Sequence, residues 1–356
     1  MATSKLTQPS ALLFLAPTTL PFLSFMLVLG GINPDLAGWL PMLVMFGFIP
    51  LIDYLGGERK SNPELPDRSE ASAIVWLPWF ALPLCFFCLL GTTWIISQIS
   101  LTAVGLLGWV ISLGVIMSTV GITAAHELIH KRSQFEQLSG GLLLSLTCYA
   151  SFKIEHIYWH HAHVATPVDP TTAKYNQSLY RFLLTVFRHN AVNGWKLEAQ
   201  RLNKRGFSFW SWHNQLFWYY GISVILAGLA FVTFGALGLF VFLAQSLVAI
   251  TLLETINYIE HYGLVREERR PGRYEPVAPH HSWNAPYRFS NLLLIQLQRH
   301  SDHHAFAQRP YYALQHHEAA PQLPAGYPFM VLIALCPPLW RKVIHPRLKA
   351  ALSNSG

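Results

Sequence analysis

The sequence predicts an all-α integral membrane protein with six transmembrane helices and a cytoplasmic histidine-rich region. Of its 356 residues, 52% are hydrophobic and only 12% are charged, against about 25% charged in an ordinary soluble domain. The mean hydropathy is +0.31, and the apolar residues come in long blocks. The 17 histidines are concentrated at the ends of these blocks and in the polar segments that follow them. This composition excludes a disordered chain and argues against a soluble enzyme.

Six apolar segments are each long enough to cross a bilayer, which takes about 20 residues. They cover residues 11–29, 36–55, 73–96, 101–123, 216–233 and 237–258. The first segment has too long an apolar core for a signal peptide and is followed closely by the second, so we expect it to be retained. The fifth and sixth are separated only by Phe234-Gly235-Ala236, which predicts a tight helical hairpin.

The distribution of Lys and Arg predicts the orientation. The expected outer loops, residues 30–35, 97–100 and 234–236, contain no Lys or Arg. The opposite side holds the basic residues Lys5, Arg59, Lys60, Arg68, Lys131, Arg132, Lys153, Arg181, Arg188, Lys196, Arg201, Lys204 and Arg205. By the positive-inside rule, both termini and the long connections are cytoplasmic. The net charge of +7 then lies beside anionic lipid headgroups, and it gives no support to nucleic-acid binding.

Four regions follow from this topology. Residues 1–130 hold the first four transmembrane helices, 131–215 a cytoplasmic histidine-rich segment, 216–258 the transmembrane hairpin, and 259–356 a cytoplasmic C-terminal histidine-rich segment. Within the second region, residues 140–152 are apolar but too short to span, which predicts a re-entrant or interfacial helix. Cys85 and Cys88 lie in an apolar run, where packing is a better explanation than a disulfide or a metal site.

Nine histidines have the spacing of metal ligands. In HELIH (126–130) two histidines four residues apart share one helix face, as do the first two in HIYWHH, whose last histidine lies one position further round. NYIEH supplies a single histidine, and RHSDHH supplies three with i, i+3 and i+4 spacing. The candidate metal ligands are His126, His130, His156, His160, His161, His261, His300, His303 and His304.

Nine imidazoles are too many for one ion and about right for two ions with four or five ligands each. The first group matches the H-E-x-x-H zinc motif, but zinc hydrolases use three protein ligands and an open position. A nitrogen-only donor set suits iron or copper better than calcium or magnesium, and it does not by itself separate iron from zinc.

Four carboxylates flank these histidines. They are Glu127, Glu155, Glu260 and Asp302. A metal-bound imidazole usually donates its other N–H to a carboxylate or carbonyl, so we expect these side chains to orient the ligands. One of them could instead bridge the two metals, as Glu does in soluble diiron bundles. Among the other histidines, we expect His163, His280 and His281 to lie nearest the ligands.

The four histidine blocks HELIHK, EHIYWHH, NYIEHYG and LQRHSDHHA resemble the signature blocks of the integral-membrane alkane 1-monooxygenases, which are non-haem diiron enzymes. The resemblance runs from about Pro50 to Pro328 and includes Asp169-Pro170 and HHSWN at residues 280–284. The wider histidine pattern is shared with membrane fatty-acid desaturases and xylene monooxygenases. NYIEHYG together with LQRHSDHHA is more specific to the alkane hydroxylases.

This resemblance implies a six-helix enzyme of alkane degradation in the bacterial inner membrane, with two non-haem iron ions bound by the nine histidines. It would insert one oxygen atom of O2 into the terminal methyl group of a medium-chain n-alkane, using electrons that a reductase passes through rubredoxin. No cytoplasmic C-x-x-C pair is present to hold an iron–sulfur centre, so we expect the donor to be a separate protein or a domain outside these residues.

The residues support this chemistry independently of the resemblance. Histidines just below apolar helices connect a cavity accessible from the lipid to a metal site, and oxidising an unactivated C–H bond needs a redox metal, which zinc is not. Burial contributes about 0.8 kcal/mol per CH2 at every position of a linear chain. Shape must therefore select the terminal carbon, and we expect a narrow tunnel whose far wall includes Leu43, Met45, Phe46 and Phe48.

Two other classes of protein remain open. A membrane fatty-acyl desaturase or hydroxylase, or a xylene-type monooxygenase, would use the same histidines on a different substrate. A metal transporter would carry ionisable residues in the middle of its spans, whereas Asp53 and Glu254 lie near span ends.

Overall fold

The computed structural model describes residues 12–63 and 68–354, and helices make up most of this chain. Lys5 and Ala11, which belong to the predicted topology and first span, lie outside the described residues. The helices are α1 (Ala16–Leu29), α2 (Pro34–Gly56), α3 (Arg68–Gln98), α4 (Ala103–Ile129), α5 (Gln134–Ser145), α6 (151–163), α7 (Leu179–Lys204), α8 (Gln215–His261), α9 (Arg288–Leu293), α10 (His300–Ala305), α11 (Tyr327–Ala334) and α12 (Pro337–Asn354). An antiparallel ribbon, β1 (Glu268–Arg270) and β2 (Arg273–Tyr274), follows α8.

Four of the described helices are long and apolar enough to cross a membrane: α2, α3 from Ile74 onward, α4 and α8. Helix α1 is apolar but shorter. A mostly helical chain with four candidate membrane-spanning helices is therefore confirmed, and the six predicted segments fall on α1 to α4 and on the two halves of α8. Six crossings, a cytoplasmic histidine region and the four-region division stay predictions.

Helix α8 reverses direction at Gly235, whose φ of +66° and ψ of −157° are not helical. Before the turn, Ser223 Oγ donates to the Ser145 carbonyl at 2.9 Å. After it, Gln245 Nε2 donates to the neighbouring Leu146 carbonyl, also at 2.9 Å. In an uninterrupted helix these two donors would be about 33 Å apart, so the two halves must lie side by side. The hairpin predicted at this break is confirmed.

Two apolar cores hold the helices together. The larger packs α3 and α4 against both halves of α8, with Leu113 and Val241 buried between them. Cys85 and Cys88 are fully buried in this core, as expected for packing residues. A second core packs α7, α11 and α12 around the end of α8 that carries Tyr258.

Three helices contain π-helical turns, at Val44–Phe48 in α2, Met117–Ile122 in α4 and His156–His160 in α6. A π turn bonds residue i to i+5, widens the helix locally, and is frequent at functional sites. Met45, Thr119 and His156, one from each turn, line the same cavity. The three distortions therefore shape one space.

Gly114 on α4 permits close contact with α8, and replacing it provides a test of this packing. A Cβ at this position would lie 2.5 Å from Val248 Cβ and 2.8 Å from the Gln245 carbonyl oxygen. Because backbone atoms cannot yield as a side chain does, we expect Gly114→Ala to destabilise the protein by about 1–3 kcal/mol, measured by thermal unfolding of the purified protein.

The matched control is Gly221→Ala on α8, where an added Cβ meets no atom within 4 Å. Alanine favours a helix over glycine by about 1 kcal/mol, so the control is expected to unfold at the wild-type temperature or slightly above it. Equal unfolding temperatures for the two variants would contradict this account of the contact between α4 and α8.

Candidate metal centre

The fold brings all nine candidate ligands to one place, at the ends of α4 and α8 and on α6 and α10. Within each of two groups, one ring nitrogen per histidine lies within 4.8 Å of the others. Group 1 is His126, His130, His156 and His303. Group 2 is His160, His261, His300 and His304. All are buried except His130, which is half-buried.

His161 completes group 1. Its Nε2 lies 3.0 Å from His156 Nε2 and 3.1 Å from His303 Nε2. Its ring also approaches His304 of group 2, with centroids 4.5 Å apart. The arrangement is therefore five imidazoles beside four, with His161 between the two groups.

The partition of α6 differs from the expectation based on helical spacing. An α-helix would place His156 and His160 on one face and leave His161 for the neighbouring metal. In the structure His160 belongs to group 2, whereas His161 contacts His156 and His303 of group 1. The π turn at His156–His160 is the reason. Its i to i+5 bonding brings residues five apart into register and rotates residue i+4 away.

Asp169 is the carboxylate that directly orients His160, a candidate ligand on α6. Its Oδ2 lies 2.9 Å from His160 Nδ1 and accepts a further hydrogen bond from Thr172 Oγ1 at 2.8 Å. This fixes the ring so that Nε2 points into group 2. Asp169 was not among the predicted site residues, although the Asp169-Pro170 pair in the resembling region was a signal for it.

The four predicted carboxylates have different partners. Glu260 Oε2 lies 3.2 Å from His300 Nε2, close enough to join group 2. Glu127 pairs with Lys131 and accepts from the Tyr311 backbone N–H. These contacts hold the end of α4 in place rather than touching a candidate ligand.

Glu155 and Asp302 accept hydrogen bonds from residues of neighbouring segments. Burial raises the pKa of Glu155 to about 7, and its carboxyl accepts from Asn193 Nδ2 on α7. Asp302, fully buried, accepts from Arg309 at 2.5 and 2.7 Å and bonds His317 Nε2 at 2.6 Å. It thereby fixes the six-residue helix α10, which sends His300 and His304 to group 2 and His303 to group 1.

The histidines fit a metal ion by the chemistry of their ring nitrogens. His156 Nε2 faces His130 Nε2 at 3.0 Å, and His300 Nε2 faces His261 Nε2 at 3.1 Å. The Nε2 atoms of His126 and His160 are buried without a hydrogen-bond partner, which costs about 1–3 kcal/mol for each. A cation would satisfy these nitrogens, and imidazole donors suit iron, copper or zinc.

Protonation does not compete with metal binding here. Burial lowers the pKa of His130 to about 3 and holds the pKa of His156, His161 and His303 well below the ordinary range. These imidazoles are therefore neutral at pH 7, the form that binds metals.

A mainly apolar cavity between α2, α4, α8 and α11 reaches both groups. His126 and His156 of group 1 and His300 of group 2 lie in its wall. Its other lining residues include Met45, Phe46, Ile122, Leu252, Ile256 and Val331. An apolar molecule in this cavity would contact the histidines directly.

Of the four predicted tunnel residues, Met45 and Phe46 line this cavity. Phe48 lines a separate groove next to α1, and Leu43 is 58% exposed on the outside of α2. Leu43 and Phe48 are therefore not part of its wall.

The three other histidines expected near the ligands are engaged elsewhere. His163 Nδ1 bonds the Trp159 carbonyl at 2.8 Å. His281 bonds Glu275 at 3.0 Å and accepts from the Ala278 N–H, with His280 beside it. Both nitrogens of His281 are thus used within the protein, so this partly buried Glu275–His280–His281 cluster is satisfied without an ion.

Comparison with known proteins shows which family the chain belongs to. A family model described as fatty acid desaturase matches residues 100–333, which include all nine histidines. Alkane 1-monooxygenase 2 of Pseudomonas aeruginosa is 46% identical over 92% of this chain and 88% of its own length. Alkane 1-monooxygenase 2 of Alcanivorax borkumensis is 45% identical over 93% of this chain and 87% of its own.

A more distant relative is the hydroxylase component of xylene/toluene monooxygenase from Pseudomonas putida, which is 30% identical over 68% of this chain and 64% of its own length. The higher identity and fuller coverage fall on the alkane enzymes, as the histidine blocks predict. The chain belongs to the alkane 1-monooxygenase family.

Proposed function

We propose that this protein is an alkane 1-monooxygenase. It inserts one atom of O2 into the terminal methyl group of a medium-chain n-alkane, while the other atom leaves as water with two electrons and two protons. The observation that carries this proposal is the apolar cavity whose wall contains histidines of both groups. The names of the relatives support the same activity.

The ligand assignment is part of the proposal. Group 1 together with His161 would hold one iron ion, and group 2 would hold the second, with Glu260 as a nearby oxygen donor. When bound, the irons supply the redox chemistry that imidazoles and carboxylates lack. The protein's own residues bind the alkane, exclude water and hold the ligands in place.

The cavity selects the position of attack by shape. Its apolar wall stabilises a methylene group about equally wherever it lies, so a chain can slide until a group meets the histidine end. A linear alkane presents a smaller cross-section end-on than side-on. A cavity closed at this end by His126, His156 and His300 therefore admits the chain end first.

The partners and location belong to the same proposal. We place the chain in the bacterial inner membrane with its histidines towards the cytoplasm, where rubredoxin, reduced by its reductase, supplies the electrons. Half-buried His130 lies near exposed Arg132, so a positive charge adjoins group 1, whereas Lys131 is paired with Glu127. This supports docking of an acidic electron donor there.

The alternative is a membrane fatty-acyl desaturase or hydroxylase, or a xylene-type monooxygenase. The match to the fatty acid desaturase family and the similarity to the xylene/toluene enzyme favour this alternative. The deciding experiment incubates the purified protein and its electron donor with octane, a fatty-acyl thioester or xylene, and measures product and iron content. We expect 1-octanol and two irons per chain. Turnover of the thioester or xylene alone would favour the alternative.

Removing a ligand tests the metal assignment. We expect His303→Ala to abolish hydroxylation and to lower bound iron, because His303 faces His161 at 3.1 Å in group 1. Iron is measured on the purified protein by elemental analysis, separately from activity. The matched control is His163→Ala. His163 lies on the same helix as His161, but its Nδ1 bonds the Trp159 carbonyl. A His303→Ala enzyme with two irons and normal activity would contradict the diiron proposal.

Enlarging the cavity tests the shape argument. Met45 is 3% exposed and lines the cavity, so Met45→Ala is expected to extend the accepted alkanes to longer chains while hydroxylation stays terminal. Products from octane and hexadecane are compared by gas chromatography. Leu43→Ala, on the exposed side of the same helix, is expected to leave the product profile unchanged. Secondary alcohols as main wild-type products would refute end-on binding.

Salt dependence tests the electron-donor surface. Attraction between an acidic donor and exposed Arg132 weakens as ions screen it over about 8 Å at physiological ionic strength. We expect the KM for rubredoxin to rise severalfold from low to physiological salt, with kcat much less affected. Arg132→Gln is expected to flatten this dependence. A KM that does not respond to salt would argue against this docking face.

A further inference from the structure

The connection between α7 and α8 displays an unusual number of aromatic side chains. In the aromatic loop, defined here as residues 205–214, Trp210 and Trp212 are each 80% exposed, and Trp218 on the first turns of α8 is 55% exposed. A tryptophan side chain buries about 150–250 Å² when covered. Two indoles this exposed at adjacent sites form a surface that is unfavourable in water.

Hydrogen bonds hold the backbone of this loop in place, so the two indoles stay on the outside of the protein. Trp218 Nε1 donates to the Trp212 carbonyl at 2.8 Å, and the two rings stack with planes 14° apart. Asn214 Nδ2 donates to the Phe209 carbonyl at 3.0 Å. At the base, Arg201 donates to the His213 carbonyl at 2.6 Å.

The loop stands where α8 would enter the hydrocarbon. From Gln215 to the turn at Gly235 the first half of α8 spans about 30 Å, which is the thickness of the hydrocarbon core. Its outward residues are apolar, with Val224 71% and Val232 82% exposed. Lipid therefore covers this half, and the aromatic loop lies at its boundary.

Charge at the same level points to the polar part of the lipid. Lys204 and Arg205, both exposed, end α7 and begin the loop. Tryptophan is enriched at the membrane–water interface, and Lys or Arg near the surface is attracted to anionic headgroups. One short segment thus combines the two features that an interfacial anchor needs.

We propose that the aromatic loop is a membrane-interface anchor. Trp210 and Trp212 insert among the lipid headgroups, and Lys204 and Arg205 bind anionic phospholipid. The anchor fixes the depth of the metal centre. The second half of α8, from Gly235 to His261, is about 39 Å long, so it carries His261 about 9 Å beyond the hydrocarbon on the side of the loop.

The test measures the depth of a spin label in the full-length protein in lipid nanodiscs. A nitroxide is attached at Trp212→Cys in a background with Cys148→Ser and Cys336→Ser, since Cys85 and Cys88 are buried. Relaxation by oxygen reports lipid, and relaxation by a nickel chelate reports water. We expect a ratio of oxygen to nickel effects severalfold higher than at Val265→Cys, an exposed site past α8, and lower than at Val224→Cys.

Two controls keep the test decisive. If Trp212→Cys fails to fold, Trp210→Cys carries the same label at an equally exposed position. A label accessible to nickel as at Val265→Cys, or one shielded from both reagents by a protein contact, would overturn the anchor. Lys204→Gln with Arg205→Gln is expected to lower the ratio in phosphatidylglycerol nanodiscs and not in phosphatidylcholine nanodiscs. An equal change in both lipids would refute anionic-lipid binding.

Discussion

The burial of the clustered histidines is the constraint on which the rest of the structure depends. Protonated imidazoles in contact would repel one another, and burial lowers the pKa of His130 to about 3 and holds the pKa of His156, His161 and His303 well below the ordinary range. The Nε2 atoms of His126 and His160 are buried among these rings without a hydrogen-bond partner. A bound cation would satisfy such a set. Because the ligands come from four helices, metal binding would also stabilise the contacts among α4, α6, α8 and α10.

The π turns connect this centre with the membrane helices. An α-helical α6 could not offer His156 and His161 to one group and His160 to the other, and the wide turns in α2 and α4 lie against the same cavity. A π turn is less favourable than an α turn, so these three distortions are maintained by the packing around them. Polar groups at Thr119 and Ser118 lie in the widened part of α4, in the wall of this mainly apolar cavity.

The sequence predicted what regular periodicity encodes. The apolar segments fall on helices, α8 reverses at Gly235 and the nine histidines lie close together, because hydrophobic length and i, i+4 spacing follow from helical geometry. Six crossings and the metal-ligand role of the histidines stay predictions. The different placement of His160 and His161 follows from the π turn in α6, which has no spacing signal. Asp169 was missed for a related reason, since it reaches His160 through a loop that turns at Ala165, where φ is +59°.

In the proposed topology, the lengths of the two halves of α8 would put the metal centre at the membrane boundary. The first half is about as long as the hydrocarbon is thick, and the longer second half would carry His261 past it. The proposed substrate dissolves in the bilayer and needs an apolar path to the histidines, whereas the proposed electron donor is soluble and needs a surface in water. A site at mid-membrane would satisfy the first requirement alone, and a site far from the lipid the second alone. A buried cluster with half-buried His130 on one side and the apolar cavity on the other satisfies both.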